Sequence, residues 1–543
     1  MRSGRIARAL GPVFANPQLR RIELAFAAFN AAEWGVWIAM LVYAYRHGGT
    51  LAAGLVALGQ LVPSGLFAPI GGTLADRHPP ARVLALGYVA QTMAMAATTV
   101  ALIVSAPPLV AYALAALAAS AVTITRPTQA ALIPSLVRGI DELTGVNVVS
   151  GWIESLSLLV APVLTGALLA VSGPAAVFAV MALAGAGAAI LVAPLPGVAR
   201  TGPSEAEPSS DPPRPQRALR QLATVARTVM RNRSARVLIF LLGAEFVLIG
   251  ALDVLFVVLA VRVLGLGGAG AGYLNAAFGA GGVLGIAATI RMIGRARLAP
   301  PLAVAALVWA AAFVALGLWP TVLGAFGLLA LAGAARTLLD VTVRTLLQRT
   351  VPADVLARVF GLIETLDSAG LAIGSMLAPA LVGVLGPRAA IAGLAAIFPA
   401  LLLLTGRALR HIDADADVPV VDIALLRSLA IFESVGAPVL EGLARASVSL
   451  EIGAGQCLIR EGEAGDRYYA IADGTLAVTK GTELLRTVGR GHGVGEVALL
   501  VGVPRTATVT AQTPASLLAI DADQFMAVVT QHPASARVGG NLV

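Results

Sequence analysis

Two groups of residues in this chain have the types and spacing to do chemistry. In the first, Val494-Gly495-Glu496-Val497-Ala498-Leu499-Leu500 is followed closely by Pro504-Arg505-Thr506-Ala507. Gly495 and Glu496 open a short apolar helix, expected at 497–500, and the free backbone N–H groups there suit an anionic group. Arg505 can neutralise that charge with its guanidinium fork. Thr506 can add a hydroxyl donor and Ala507 a backbone contact. The second group is the set of carboxylates inside long apolar segments: Glu33, Glu154, Glu245, Asp253, Asp340, Glu364 and Asp367. An ionisable side chain within a membrane span is expensive and marks function by default. Glu33 and Asp253 lie deepest in their segments with no cation near in sequence, so either is a candidate for carrying a coupling proton. The ordinary alternative is a carboxylate hydrogen-bonded to a neighbouring helix. Glu154 and Glu364, nearer segment ends, are further coupling candidates, while Asp340 is expected to pair with Arg336 four residues earlier. Trp34 and Trp37 beside Glu33 line a cavity or face lipid.

These residues need elements to hold them, and composition says which. Hydrophobic residues make up 58% of 543 and charged ones only 13%, against about 45–50% and about 25% in soluble domains. Apolar segments long enough to span a bilayer fall at 22–45, 50–74, 82–105, 109–127, 143–170, 174–196, 236–263, 269–292, 299–319, 322–345, 357–384 and 388–408, a count of twelve. The expected fold is therefore an all-α polytopic membrane body of two six-helix halves, 1–196 and 236–410. A linker occupies 197–235, and a C-terminal domain at 420–543 has short flanking helices around a β-roll. In that last stretch apolar residues alternate between glycine turns at Gly453, Gly455, Gly462, Gly465, Gly474 and Gly481, the rhythm of an eight-stranded roll.

Charge sets the topology. The even-numbered connections carry Arg77 and Arg82, Arg126 and Arg138, Arg291, Arg295 and Arg297, then Arg344, Arg349 and Arg358; the odd ones hold only Arg46, Arg262 and Arg388. Positive loops stay inside, so both termini and the linker are expected on the cytoplasmic side of the cell membrane. The linker is proline-rich and polar at 197–215, and Leu219, Leu222, Ala226 and Val229 then share a helical face among arginines, as in a helix lying on a membrane surface. The net charge of +8 sits at segment ends and is no nucleic-acid signal. One cysteine, Cys457, excludes an intramolecular disulfide. No metal-ligand spacing, catalytic constellation or phosphate-binding G-x-x-x-x-G-K-[ST] loop occurs, so an enzyme, a metal site and ATP-driven transport are all unsupported. No helix-turn-helix follows the roll, which argues against a DNA-binding regulator.

The halves repeat. Arg126 and Pro134 match Arg344 and Pro352, and Ser157-x-x-x-Ala161-Pro162-x-x-x-Gly166 matches Gly374-x-x-x-Ala378-Pro379-x-x-x-Gly383. Small residues with a mid-helix proline are expected to bring backbones close and to break these helices near the midplane, as in a transporter's central pathway. Gly72-Thr73-Leu74-Ala75-Asp76-Arg77 resembles the loop 2–3 signature of the major facilitator superfamily. The resemblance implies a gating latch at Gly72, Asp76, Arg77 and Arg82, weakened because Pro79-Pro80-Ala81 replaces the family's glycine and arginines. Ser157, Ala161, Pro162, Thr165 and Gly166 partly resemble that superfamily's antiporter motif, and 125–134 is similar to its macrolide and siderophore exporters. Proton-coupled efflux of a small hydrophobic or amphipathic substrate is what this implies.

The run 494–509 resembles the phosphate-binding cassette of cyclic-nucleotide-binding domains, and Arg460-Glu461-Gly462-Glu463-Ala464-Gly465-Asp466-Arg467-Tyr468-Tyr469-Ala470-Ile471 with Gly474 resembles that family's first turns. That resemblance implies a regulatory ligand, cAMP or cGMP, rather than a cofactor. Gly495, Glu496, Val497, Arg505, Thr506 and Ala507 would form its site, with Glu496 accepting from the ribose 2′-hydroxyl. The short tail after the helix expected near 523–530, containing Gly539 and Gly540, departs from the family's longer capping helix. The expected partners are a small-molecule substrate, a cyclic nucleotide and the membrane. Two other readings share these residues: a membrane-anchored receptor that does not transport, and a carrier whose cargo is the nucleotide.

Overall fold

The computed structural model describes residues 13–77, 79–138, 140–195, 233–290, 297–350, 353–415, 425–432, 435 and 437–530. The expected linker helix, Arg295, Pro352 and the tail after Thr530 lie outside the described residues. So do the side chains of Gly72, Asp76, Arg77 and Arg358, although their backbone is helical. The chain divides into two compact units, one formed by residues 1–290 and 298–413, the other by 291–297 and 414–543.

The larger unit is all helix: α1 Pro17–Arg77, α2 Pro80–Ile103, α3 Pro108–Leu136, α4 Ile140–Val171, α5 Gly173–Val192, α6 Arg233–Val258, α7 Gly267–Ile290, α8 Ala299–Leu318, α9 Val322–Thr350, α10 Ala353–Leu385 and α11 Pro387–Asp415. Eleven of the described helices are long and apolar enough to cross a membrane. The difference from the expected twelve lies in α1, which joins the first two expected segments in one run of 61 residues. A straight helix of that length would measure about 90 Å at 1.5 Å per residue, far beyond a hydrocarbon core of about 30 Å. It is not straight: Gly48 (φ −151°, ψ 17°) and Gly49 (φ 66°, ψ −156°) leave helical geometry, and the left-handed value at Gly49 is one glycine adopts without strain.

Large apolar side chains cover the outside of this unit, among them Leu86, Met93, Leu183, Ile190, Leu323, Leu403 and Leu404. Water would not tolerate so much exposed hydrocarbon; acyl chains would. Inside, small residues set the helix spacing. A Cβ on Gly272 of α7 would lie 2.5 Å from the Pro162 carbonyl oxygen of α4, and one on Gly54 of α1 would lie 2.5 Å from the Ser375 carbonyl oxygen of α10, beside Pro379. The two proline helices thus receive equivalent glycines, and α5 and α11 follow equivalent turns at Gly173-Pro174 and Gly386-Pro387 (φ 74° and 77°). The close approach matches expectation; the break does not. Helices α4 and α10 run on through Pro162 and Pro379, as a proline within a membrane helix can when neighbouring helices and side chains satisfy the backbone group it frees.

Arg126 and Arg344 also depart from expectation. Like Arg82 and Arg349 they lie within helices, here α3 and α9, and both are ion-paired there to carboxylates of the same unit. Their role is internal, and the topology signal rests on the other arginines.

The smaller unit is the expected roll. Strands β1 Val448–Ile452, β2 Cys457–Ile459, β3 Arg467–Asp473, β4 Thr475–Lys480, β5 Glu483–Gly489, β6 Gly493–Val494, β7 Thr508–Ala511 and β8 Ala515–Asp521 form two antiparallel sheets, ordered β1-β8-β3-β6 and β2-β7-β4-β5. Strand alternation sends Tyr469, Ile471, Leu517 and Ala519 between the sheets, where they meet Leu476, Val478 and Val509. Tyr468, Ala470, Leu518 and Ile520 point the other way. They pack under Leu426, Phe432, helix α12 (Ala437–Ala446) and helix α14 (Ala522–Thr530), with Tyr468 stacked on Phe525 at 4.6 Å. Both faces of the β3–β8 pair are therefore buried, which fixes β3 as the floor for the loops above it. Helix α13, Glu496–Val501, follows β6 directly.

Candidate functional site

In the roll, the anion-binding residues meet around one guanidinium. Gly495 caps α13 with φ +97°, and a Cβ there would sit 2.6 Å from Arg505 Nη1, so this position accepts only glycine. Arg505 is buried, 5% exposed. Its Nη1 donates to the Gly495 carbonyl (3.0 Å), and its Nη2 donates to the Arg467 carbonyl (2.7 Å) and to Asp466 Oδ1 (3.2 Å). Its own backbone is held by the turn before β3: Arg505 N donates to the Glu463 carbonyl and Gly462 N to the Arg505 carbonyl, each at 2.8 Å. Three segments distant in sequence thus converge on one cation.

Glu496 is buried beside it, 4% exposed. Its Oε1 lies 3.5 Å from Arg486 Nη2 on β5, and its Oε2 has no partner. Burial pushes the Glu496 carboxyl above its ordinary 4.5, and its own backbone N–H, then Arg486 and Arg505, hold it down in part. A buried carboxylate oxygen without a donor is costly and is suited to a ligand hydroxyl. Val497 and Ala507 are half-buried, and Thr506 is exposed at the rim. Arg486 and Asp466 were not singled out from sequence: neither stands in the 494–509 run, and only the strand register brings them to it.

In the helical unit, a cavity of about 350 Å³ is lined by residues of α1, α2, α3, α6 and α10, including Glu33, Trp34, Trp37, Gln60, Gln91, Arg126, Asp253 and Asp367. Both tryptophans line the cavity. Glu33, with no cation near in sequence, has one in space: Arg126 of α3 reaches its Oε2 at 2.6 Å and Glu154 Oε1 of α4 at 3.2 Å, with Asn30 Oδ1 at 3.3 Å. Sequence distance, 93 residues, hid this partner. Trp37 of α1 and Asp253 of α6 both line this cavity. Glu364 is exposed.

Asp340 pairs with Arg344, Nε to Oδ1 at 2.7 Å, and not with Arg336. Arg336 instead lies 3.2 Å from Glu245 Oε1, without the alignment of a hydrogen bond. Glu245, 2% exposed, is therefore deeper than either acid ranked deepest from sequence. Glu23 is equally buried, accepts from Ser150 Oγ at 2.8 Å and leaves Oε2 unpartnered. It escaped notice because it sits at the edge of its apolar segment.

Comparison with known proteins places both units. Residues 23–366 match the family described as Major Facilitator Superfamily, and 449–532 match the Cyclic nucleotide-binding domain. A cyclic nucleotide-gated potassium channel of Mesorhizobium japonicum is 32% identical over 114 residues, 21% of this chain and 32% of the channel. A cAMP-dependent protein kinase regulatory subunit of Yarrowia lipolytica is 38% identical over 102 residues, 18% of this chain and 27% of the subunit. The chain thus spans a third or less of the length of these curated relatives. The structure of the regulatory domain of Toxoplasma gondii PKA with cAMP is 32% identical and covers 22% of this chain and 46% of that one, with a TM-score of 0.21.

Proposed function

Because the chain belongs to the Major Facilitator Superfamily and carries a cyclic nucleotide-binding domain, we propose that it is a secondary transporter whose activity is set by a cyclic nucleotide. The observation that carries the regulatory half is a buried Arg505 in the same site as a buried Glu496 whose Oε2 lacks a donor. A cyclic phosphate would take the guanidinium, exchanging with Asp466, and a ribose hydroxyl would donate to Glu496. Gly495, Val497, Thr506 and Ala507 would complete the site, which suits cAMP or cGMP.

The transport half rests on the cavity in the helical unit. We read the two arms of α1, on either side of Gly48–Gly49, as separate spans, making twelve in a cell membrane with both termini in the cytoplasm. Gly72, Asp76, Arg77 and Arg82 would form the gating latch. Efflux coupled to protons is the direction we favour, with Asp253 as the carboxylate that exchanges its proton and with Glu33 and Glu154 sharing Arg126 as the switch between states; Glu364 is a secondary candidate. Flux from proteoliposomes under an imposed pH gradient, with and without cAMP or cGMP, tests the whole reading. Flux that ignores the pH gradient removes the coupling, and absence of flux for every compound of a broad panel leaves a receptor.

A further inference from the structure

The cavity's charge is unbalanced. Among the described residues lining it are three carboxylates, Glu33, Asp253 and Asp367, against one guanidinium, Arg126. That guanidinium is already taken by Glu33 and shared with Glu154. The further cation that acts on both Asp253 and Asp367 is Arg336 of α9, which is not among the lining residues and already lies 3.2 Å from Glu245. Asp367 lies on α10, across from Asp253 on α6, and both line the same space. Carboxylates thus outnumber guanidiniums among the described lining residues, and Trp34 and Trp37 form part of the same wall. A second observation points to a ligand here: Gln60 is 2% exposed, lines the cavity, and has neither its amide oxygen nor its amide nitrogen hydrogen-bonded. A buried amide missing all its bonds awaits a partner.

We propose that this cavity binds an organic cation, a compound with an apolar body and a permanent or protonated amine-type charge. The charge would sit between Asp253 and Asp367, an aromatic face of Trp34 or Trp37 would hold the body or the cation's edge, and Gln60 would supply one hydrogen bond. An anionic substrate would meet two acids, the one guanidinium among the described lining residues being already paired, and a neutral one would leave them unused. This deepens the transport reading and rests on it for the cavity's role, although binding can be measured without flux.

The test uses the full chain in nanodiscs and two probes of one shape and opposite charge, tetraphenylphosphonium and tetraphenylborate, with empty nanodiscs subtracted for partitioning. Phosphonium should bind and borate should not. Asp253→Asn and Asp367→Asn, each nearly isosteric, should weaken phosphonium binding on the order of tenfold or more, and Trp34→Ala should weaken it as well. A Gln60→Leu variant should lower affinity for a protonated amine more than for phosphonium, which has no hydrogen-bonding group. Equal or tighter borate binding overturns the proposal, and so does phosphonium binding that survives both asparagine variants. If phosphonium binds as described but no compound is ever moved, the transport reading fails and the site stands. If neutral compounds are moved while phosphonium is neither bound nor moved, the cation proposal fails and transport stands.

Discussion

Arg505→Ala should do two separable things to the roll. The side chain it removes holds the Gly495 and Arg467 carbonyls, at 3.0 and 2.7 Å, and Asp466 at 3.2 Å. Leaving these two part-buried carbonyls without a donor costs up to about 1–3 kcal/mol each, and water entry into the gap will recover part of it. The ligand-free domain should therefore lose about 2–5 kcal/mol of stability, a fall in Tm of roughly 10 °C or more for a domain of this size. Binding should suffer separately, since an unpaired phosphate in a partly buried site costs on the order of 2–5 kcal/mol. Arg505→Lys distinguishes the two: it restores the charge but not the fork, so it should recover part of the affinity and little of the stability. Thermal unfolding of the 420–543 segment without ligand, alongside calorimetry with cAMP and cGMP, measures both. Wild-type Tm in Arg505→Ala would refute the clamp, and wild-type affinity would refute the site.

Glu496→Gln removes a carboxyl whose buried environment lifts its pKa above 4.5. Such a group favours the folded state below 4.5 and loses that contribution as pH rises through its folded value. The variant's ligand-free domain should thus unfold at higher temperature than wild type near neutral pH, with the advantage vanishing in acid, while cyclic nucleotide affinity drops; a pH series of melting curves checks the sign. Arg486→Ala, which frees Glu496 of its cation, should change the ratio of affinities for cAMP and 2′-deoxy-cAMP, whereas an unchanged ratio would make Arg486 structural only. Arg336→Met strands Glu245 in the helical unit, and one partner lost from a buried pair costs about 3–5 kcal/mol. The double variant Glu245→Met/Arg336→Met should recover most of the lost thermal stability in detergent.

What the sequence revealed and what it hid follow physical lines. The roll was legible because alternation in 467–471 and 515–520 and the glycine turns are local patterns, and the 494–509 run puts Gly495, Glu496 and Arg505 within a dozen residues. The helices were legible by length and hydropathy, and the repeat by Pro162 and Pro379. The ion pairs were not. Arg126 meets Glu33 across 93 residues, and Arg336 chooses Glu245 on another helix over Asp340 on its own. Sequence spacing can propose i,i+4 partners but cannot rank them against a partner delivered by packing. Burial was misjudged for the same reason, since depth along a segment says nothing of which face looks inward. Glu23 and Glu245 face protein, whereas Glu33 borders a cavity.

The central claim is that nucleotide occupancy at Arg505 sets the rate of transport through the helical unit. The direct measurement is flux of a transported cation by the full chain in proteoliposomes, with cAMP or cGMP supplied on the side of the roll, for wild type and Arg505→Lys. A coupling of about 1–3 kcal/mol would change the rate 5–150-fold, with the wild-type response saturating at the nucleotide's own Kd and the variant's shifted to higher concentration. A rate that stays constant while calorimetry shows the site filling would contradict the account.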